Sequence, residues 1–299
     1  MVTGLNKNKE FTLNINNMNM SGIVYGNPKS PPVIALHGWL DNAASFEILA
    51  RQLPDQQIIA LDFIGHGKSS HRGLNSPYYL WDNVTDLYLA LEALHVDKVD
   101  FIGHSMGASI AMLFAACFPE KVGKLLLIEG LAPLHYPVSK LPGAMAKAIR
   151  KRVKSYARSG KVYPEFEALV RARAQGMFPV SAPAARLLAE RGSIKSAQGY
   201  RWSSDPALLL PSINRFSKSQ IKAFLQSVEA EVFLFLATDG LADERWQEYM
   251  DDVARLQVTR LEGNHHLHLQ KTGAIAIADN VRQIYSRELD DLPANLESL

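Results

Sequence analysis

The sequence predicts an α/β protein whose core is a mostly parallel, doubly wound sheet with a helical insertion between two core strands. Short apolar runs alternate with helix-like apolar patterns, which is typical of parallel strands buried on both faces. The alternation stops between residues 131 and 216 and then resumes, so this stretch, called the insertion below, interrupts a single core. A chain of 299 residues is long enough for one core domain with such an insertion.

The composition excludes several classes of protein. Apolar residues make up 47% of the chain, charged residues make up 21%, and the net charge is only +2, which argues against disorder and against a protein that binds polyanions as a whole. Cys117 is the only cysteine, so intramolecular disulfides and multi-cysteine metal sites are excluded. The sequence shows neither a secretory leader pattern nor an apolar run of membrane-spanning length. We therefore expect a cytoplasmic protein without a membrane span.

The predicted elements follow one another in a regular order around the insertion. The predicted strands are 10–15, 22–25, 33–36, 57–61, 98–102, 124–129, 231–237 and 257–261. The predicted helices are 44–53, 80–94, 106–118, 243–256 and 273–289. Because the carboxyl ends of parallel strands share one edge, the residues that follow these strands should meet at one rim of the sheet. They include His37, Asp62, Ser105 and Glu129.

The insertion is strongly basic. Between Lys140 and Lys195 there are thirteen Lys or Arg residues and three Glu. From about 131 to 216 the sequence shows helical patterns, several prolines and no clear strand. Met145, Ile149 and Val153 recur every three or four residues, as on one face of a helix, and basic residues fall on the other faces. One interpretation is a basic surface for lipid headgroups, nucleic acid or an anionic substrate. The other, which we favour, is the solvated face of an amphipathic helix, so we expect no nucleic-acid partner.

The position of the insertion in the chain predicts its place in the fold. It leaves the sheet at the rim where the strands end, so it is placed to cover that rim as a cap. We predict a core domain of residues 1–130 and 217–299 and a helical cap, or lid, of residues 131–216.

One stretch carries a pattern with a chemical meaning. Residues 101–108 read F-I-G-H-S-M-G-A and place Ser105 at the apex of a G-x-S-x-G turn between a predicted strand and a predicted helix. The glycines allow a turn so tight that the serine backbone is strained and its hydroxyl is exposed above the sheet. The amino end of the helix favours negative charge that develops there. A free serine is a poor nucleophile, so Ser105 needs a neighbouring base.

Candidate bases follow the last predicted strand. They are His265, His266 and His268, three histidines in four positions. Such a group also suits a metal site, but no nearby carboxylate or cysteine pattern supports one. We therefore predict no metal and no cofactor.

Four motifs in their order resemble the α/β-hydrolase family. They are H-G-W at 37–39, D-x-x-G-x-G-x-S at 62–69, G-H-S-M-G at 103–107 and a histidine after the last strand. The resemblance covers nearly the whole chain, from 33 to about 289. In addition, L-H-G-W-L-D-N at 36–42, together with W-x-x-D-P-x-L at 202–208, is similar to the serine hydrolase-like carboxylesterases.

The resemblance implies an α/β-hydrolase fold with a cap and a Ser-His-acid triad. In the family the histidine directly follows a small residue, and Asn264 takes that place here, which indicates His265. The usual position of the acid falls on Gly240, with Asp239 beside it. Some capped members place the acid at the end of the preceding core strand, where Glu129 stands in L-L-L-I-E-G. An unpaired carboxylate there would be costly, so we favour Glu129 and keep Asp239 as the alternative.

Two backbone amides are expected to stabilise the tetrahedral intermediate. The amide of Met106 directly follows the nucleophile, and the resemblance places the second at Trp39, after His37 and Gly38. We expect His37, Gly38 and His104 to line the substrate pocket.

The resemblance implies a serine hydrolase that cleaves a small-molecule carboxylic ester through an acyl-enzyme, without a cofactor. Hydrolysis of a carbon–carbon bond or of a thioester on the same scaffold is an alternative, and a non-catalytic ligand-binding protein is a third reading. The joint presence of the serine, the histidines and the oxyanion loop argues against the third. A dehalogenase is disfavoured because it needs a carboxylate nucleophile, and position 105 is serine. The sequence predicts no oligomeric state.

Overall fold

The computed structural model describes residues 9–73, 76–155, 160–241 and 243–290, so 1–8 and 291–299 of the predicted core domain lie outside the described residues. The strands of this part of the chain are β1 (Lys9–Ile15), β2 (Met18–Gly26), β3 (Pro32–Leu36), β4 (Gln57–Leu61), β5 (Val99–His104), β6 (Val122–Ile128), β7 (Ser193–Ser196), β8 (Gly199–Trp202), β9 (Glu231–Asp239) and β10 (Leu256–Asn264). The α-helices are α1 (Glu47–Ala50), α2 (Asp82–Leu94), α3 (Met106–Cys117), α4 (Leu141–Ser155), α5 (Phe166–Ala174), α6 (Ala182–Gly192), α7 (Lys218–Gln226), α8 (Asp243–Met250) and α9 (Lys271–Asp290). Within these ranges, no helix has both the length and the apolar character that crossing a bilayer requires.

Eight of these strands form one sheet in the order β1-β2-β4-β3-β5-β6-β9-β10. β1 and β2 form an antiparallel hairpin, in which Asn16 and Asn17 turn the chain with φ angles of 45° and 62°. β2 also runs antiparallel to β4, whereas every pair from β4 through to β10 is parallel. This topology confirms the predicted α/β fold with a mostly parallel sheet.

The central strands are buried on both faces, as their apolar sequences predict. Along β6, Leu125 and Leu127 pack on one side of the sheet, and Leu126 and Ile128 pack on the other. Helices α2, α3, α7 and α8 cover the first side, and α1 and α9 cover the second. Because helices cover both faces, the rim where the parallel strands end is the place left for a site.

The insertion, which lies between β6 and β9, contains α4, α5 and α6, as its helical patterns predict. It also contains the antiparallel pair β7 and β8, so the expectation that no strand lies between 131 and 216 is wrong. Both strands have four residues and are mostly exposed or half-buried, so no alternation of apolar residues marks them in the sequence. Gly199 opens β8 with a φ of +125°, and Tyr200 extends the pairing to Tyr163.

Two predicted helices are shorter than expected. The helix predicted at 44–53 is a 3-10 turn, Ala43–Phe46, followed by α1, and Pro54 comes soon after. Helices usually end before a proline, because its ring clashes with the preceding helical turn. The helix predicted at 243–256 ends at Met250, and a turn then leads into β10.

Candidate active site

The turn around the candidate nucleophile connects β5 to α3. Ser105 has a φ of 52° and a ψ of −110°, a conformation that a residue with a side chain rarely adopts. The last position of the G-x-S-x-G motif, Gly107, must be glycine because a β-carbon there would lie 2.0 Å from the carbonyl oxygen of Leu36. The turn leaves Ser105 half-buried just before the first residue of α3.

Three side chains form a continuous chain of hydrogen bonds: Ser105, His265 and Glu129. Nε2 of His265 lies 3.1 Å from Oγ of Ser105, and Nδ1 of His265 lies 3.0 Å from Oε2 of Glu129. When the carboxylate accepts the Nδ1 hydrogen, Nε2 is left to accept the serine hydroxyl proton. The fold thus brings a serine, an imidazole and a carboxylate together from distant parts of the chain, in the order that nucleophilic catalysis requires.

Backbone amides hold the carboxylate of Glu129, which is fully buried. Oε1 accepts a hydrogen bond from the amide of Ala237 at 2.7 Å, and Oε2 accepts one from the amide of Leu241 at 3.0 Å. A β-carbon on Gly240 would lie only 2.3 Å from Oε1. The usual position of the family's acid is therefore a glycine here because the carboxylate of Glu129 fills the neighbouring space.

Asp239, the alternative acid, lies at the end of β9 and is exposed. It pairs in register with Asn264 of β10. The carboxylate within hydrogen-bond distance of His265 is that of Glu129. The geometry thus favours Glu129 over Asp239.

The two expected oxyanion amides belong to the loop after β3 and to the start of α3. Among the described residues, the amide of Trp39 has no hydrogen-bond acceptor. Met106 is the first residue of α3, where amides have no acceptor within the helix. The indole of Trp39 is 40% exposed and donates to the carbonyl of Leu208 at 3.2 Å, which joins this loop to the insertion.

The two histidines expected in the substrate pocket, His37 and His104, are both buried. Nδ1 of His37 donates to the carbonyl of Gly38 at 2.7 Å, and Nε2 of His37 accepts from the amide of Phe63 at 3.1 Å. Nε2 of His104 lies 2.8 Å from the carbonyl oxygen of His265. Burial lowers the pKa of His37 to about 4 and holds the pKa of His104 well below its usual range, so both rings are neutral. These contacts tie the loops of the site together.

Arg173 of α5 joins the insertion to the core beside the candidate base. Its Nη2 donates to Oδ1 of Asp41 at 2.8 Å and lies 3.2 Å from Nε2 of His266. Its Nη1 donates to the carbonyl of Phe178 at 2.9 Å. Burial alone would raise the pKa of Asp41, but the hydrogen bond and charge of His266 and the charge of Arg173 hold that pKa well below its usual range. Asp41 is therefore ionised.

Asp41, His104 and His266 also bring three metal-ligating atoms within 4.8 Å of one another. The sequence pattern did not reveal this carboxylate because Asp41 lies 225 positions before His266. However, the guanidinium of Arg173 contacts both Asp41 and His266, so a cation already lies beside two of the three donors. A metal ion would have to displace it, and the arrangement therefore favours an ion-pair network over a metal site.

No sequence motif marks two residues of the insertion that lie near the candidate base, Phe178 and Arg173. The ring centroid of Phe178 lies 5.0 Å from that of His265, so this side chain of the insertion contacts the imidazole. Arg173 is one of the thirteen basic residues between Lys140 and Lys195. The basic character of the insertion was a signal, but spacing does not reveal which of these residues points towards the core.

Comparisons with known proteins show which family the chain belongs to. Residues 31–272 match the family model described as the alpha/beta hydrolase fold. The chain is 31% identical to the serine hydrolase-like protein of Danio rerio over 282 residues, which covers 89% of this chain and 86% of that protein. It is 30% identical to serine hydrolase-like protein 2 of Homo sapiens over 274 residues, which covers 84% of this chain and 86% of that protein.

A solved structure extends the comparison to three dimensions. The crystal structure of the hypothetical protein PA1622 from Pseudomonas aeruginosa PAO1 has a TM-score of 0.89 and 37% sequence identity, and the match covers 93% of this chain and 100% of that chain. Together, the relatives and the family match support a hydrolase as the function class. They show that the chain belongs to the α/β-hydrolase family.

Proposed function

We propose that the protein is a serine hydrolase that cleaves carboxylic esters, with Ser105 as nucleophile, His265 as base and Glu129 as the orienting acid. The observation that carries this proposal is the pair of contacts at 3.1 Å and 3.0 Å on the two nitrogens of His265. The serine hydrolase-like relatives support the same reading. Exposed Asp239 has no part in it.

The proposed reaction has two halves. Oγ of Ser105 attacks the ester carbonyl while Nε2 of His265 takes the hydroxyl proton, and the amides of Trp39 and Met106 stabilise the oxyanion. The imidazolium then gives this proton to the leaving alcohol, and the acyl group stays on Ser105. His265 then takes a proton from water, the resulting hydroxide attacks the acyl-enzyme, and the imidazolium returns the proton to Oγ of Ser105 as the acid leaves. The buried carboxylate of Glu129 stabilises the imidazolium in both halves.

The insertion acts as a cap over this site in our proposal. Three contacts support that role: Phe178 against His265, Arg173 on Asp41, and the indole of Trp39 on a carbonyl of the insertion. A cap in this place would shape the pocket and limit the acyl chains that reach the serine.

The test is a series of p-nitrophenyl esters from acetate to palmitate, with matched thioesters as a second series. Wild type should hydrolyse at least one ester, and Ser105→Ala should lose at least about 1,000-fold in kcat/KM, because the acyl-enzyme cannot form. Lys98→Ala, which changes an exposed residue just before β5 at the opposite end of the strands from the site, is the control and should keep wild-type rates. A wild type that is inert on every ester contradicts the proposal, and turnover of thioesters alone would move it to the thioester alternative.

A further inference from the structure

Helix α4 presents basic side chains to solvent without balancing acids. Its sequence, LPGAMAKAIRKRVKS, contains no carboxylate. Lys147, Arg150, Lys151 and Lys154 are exposed, and none of them forms an ion pair within the described part of the chain. The helix therefore forms a surface of one sign of charge.

Two apolar residues of α4 are exposed as well, and their exposure separates the two interpretations of the basic insertion. A solvated amphipathic helix would bury its apolar face, and Ala148 is indeed buried. Ile149 and Val153, however, are 45% and 63% exposed. Val138, in the 3-10 turn that leads into α4, is 74% exposed. Packing against the protein core therefore does not explain why positions 138, 149 and 153 carry aliphatic side chains.

The helix geometry places the two kinds of side chain side by side. Ile149 and Val153 are four residues apart, so they form one row along the helix. Arg150 and Lys154, each one residue later, form the next row about 100° around the helix. A row of aliphatic side chains beside a row of cations is the pattern of helices that lie in a membrane interface.

We propose that this surface of α4, formed by Val138, Lys147, Ile149, Arg150, Lys151, Val153 and Lys154, docks the protein on an anionic lipid bilayer. The cations are complementary to anionic headgroups, and the aliphatic side chains reach the acyl boundary below them. Nucleic acid would satisfy the cations, but its phosphates offer no partner for the exposed aliphatic row. An anionic bilayer offers partners to both the cations and the aliphatic side chains.

Docking on a bilayer is a property separate from the proposed hydrolysis, and vesicle binding can be measured without any substrate. The experiment is sedimentation of the full chain with vesicles of phosphatidylcholine that contain 30% phosphatidylglycerol (a chosen composition, roughly that of an anionic leaflet), compared with vesicles of phosphatidylcholine alone. Wild type and Ser105→Ala should bind the anionic vesicles equally, and at least about tenfold more tightly than the neutral ones. High salt should weaken this binding.

Two double variants separate the two parts of the surface. Lys147→Glu/Lys151→Glu should lose at least about tenfold in affinity for anionic vesicles, and Ile149→Ser/Val153→Ser at least about fivefold. The charge-matched control is Lys29→Glu/Lys98→Glu, two exposed lysines that precede β3 and β5 at the opposite end of the strands. This control should bind within about twofold of wild type. All substituted residues are exposed, and circular dichroism checks that each variant is folded.

Several outcomes would overturn the proposal. Wild type that prefers anionic vesicles no more than neutral ones contradicts it, as does either α4 variant that binds like wild type. A control variant that loses as much affinity as the charge variant would reduce the effect to net charge. Retardation of duplex DNA without vesicle binding would assign the surface to nucleic acid instead.

Discussion

Ser105 and Glu129 directly follow two neighbouring strands of the sheet, β5 and β6, and each has a φ of 52°. Non-glycine residues in such sparsely populated conformations cost about 1–3 kcal/mol each, and they persist where surrounding contacts enforce them. Here the amide of Ser105 donates to the carbonyl of Ile128, and the amide of Glu129 donates to the carbonyl of Phe235. Backbone bonds to the adjacent strands therefore hold both side chains at the rim, where the proposed chemistry needs them.

Replacing Glu129 by glutamine tests the choice between the two candidate acids. Glu129→Gln should lower kcat by about 10³–10⁴-fold, because an amide neither selects the correct imidazole tautomer nor stabilises its cation. The matched control Asp239→Asn alters an exposed side chain and should stay near wild type. Ester hydrolysis by the two variants side by side is the measurement, and a larger loss in Asp239→Asn would reverse the assignment.

Gly240 offers a sharper test, because it leaves every proposed catalytic side chain in place. An alanine β-carbon there would meet Oε1 of Glu129 at 2.3 Å and push the carboxylate away from His265. We expect Gly240→Ala to lower kcat by roughly 10–100-fold, the effect of displacing a catalytic group by about 1 Å. Gly143→Ala, where an added β-carbon has no neighbour within 4 Å, is the control. Equal activity of the two variants would mean that the position of Glu129 is unimportant.

The sequence alone was sufficient to propose Ser105 as the nucleophile, because the G-x-S-x-G turn is local. The sequence also narrowed the candidates for the orienting acid to two residues, Glu129 and Asp239. It could not decide between them, because that choice depends on which carboxylate reaches His265 across the sheet. The role of Gly240 needs the same long-range distance. Local motifs thus point to a candidate nucleophile, whereas the choice of its candidate partners depends on the order of the strands in the sheet.

Among the elements, the core strands were predictable and the insertion was only partly so. Continuous apolar runs mark strands buried on both faces, and these runs predicted β3, β4, β6 and β9 closely. The short pair β7 and β8 lies on the surface, and backbone pairing rather than burial defines it. An exposed strand of four residues has too few buried positions for a period of two to be recognised.

The contact between α5 and the core is the element-scale feature that most directly affects the site. Arg173 connects α5 to Asp41 and to the carbonyl of Phe178, whose ring contacts His265. We expect Arg173→Ala to reduce the free energy of unfolding by about 2 kcal/mol, because buried Asp41 loses a charged hydrogen-bond partner. It should also lower kcat/KM, since Phe178 loses its anchor.

A second arginine of the insertion provides the control for this prediction. Arg186 of α6 pairs with Glu167 at the surface, where both side chains are about half exposed. Arg186→Ala should therefore change the free energy of unfolding much less than Arg173→Ala and leave hydrolysis unchanged. Urea unfolding of both variants is the measurement. A loss in Arg173→Ala no larger than that in Arg186→Ala would show that the buried contact does not hold the insertion.

At the scale of the whole molecule, the interior holds several neutral histidines. Burial lowers the pKa of His37 to about 4 and the pKa values of His66 and His268 to about 3, and the pKa of His104 is also well below its usual range. One carboxyl acts in the opposite sense, because burial raises the pKa of Asp86 to about 6. The histidines outnumber it, so the unfolded chain takes up more protons than the folded chain below the usual histidine pKa of about 6.5.

The free energy of unfolding should therefore fall as the pH falls from about 6.5 to 5. Each histidine with a lowered pKa contributes stability that is present in full above its unfolded pKa of about 6.5, and this stability is lost at up to about 1.4 kcal/mol per pH unit as the pH falls from there towards the folded pKa. Urea unfolding at pH 7.5, 6 and 5 measures this slope. His268→Gln removes one such histidine and should reduce the slope by up to about 1.4 kcal/mol per pH unit. A free energy of unfolding that does not change with pH between about 6.5 and 5 would contradict the neutral state of the buried histidines.

The proposed chemistry depends most on Ser105 as the nucleophile, and fluorophosphonate labelling tests this role without knowledge of the substrate. Intact-mass and peptide analysis should show one adduct per chain, on Ser105. The adduct should be absent in Ser105→Ala and should form much more slowly in His265→Gln, because the hydroxyl then lacks its base. A wild type that is never labelled, or a Ser105→Ala variant that is labelled as fast as wild type, would contradict the proposed hydrolase.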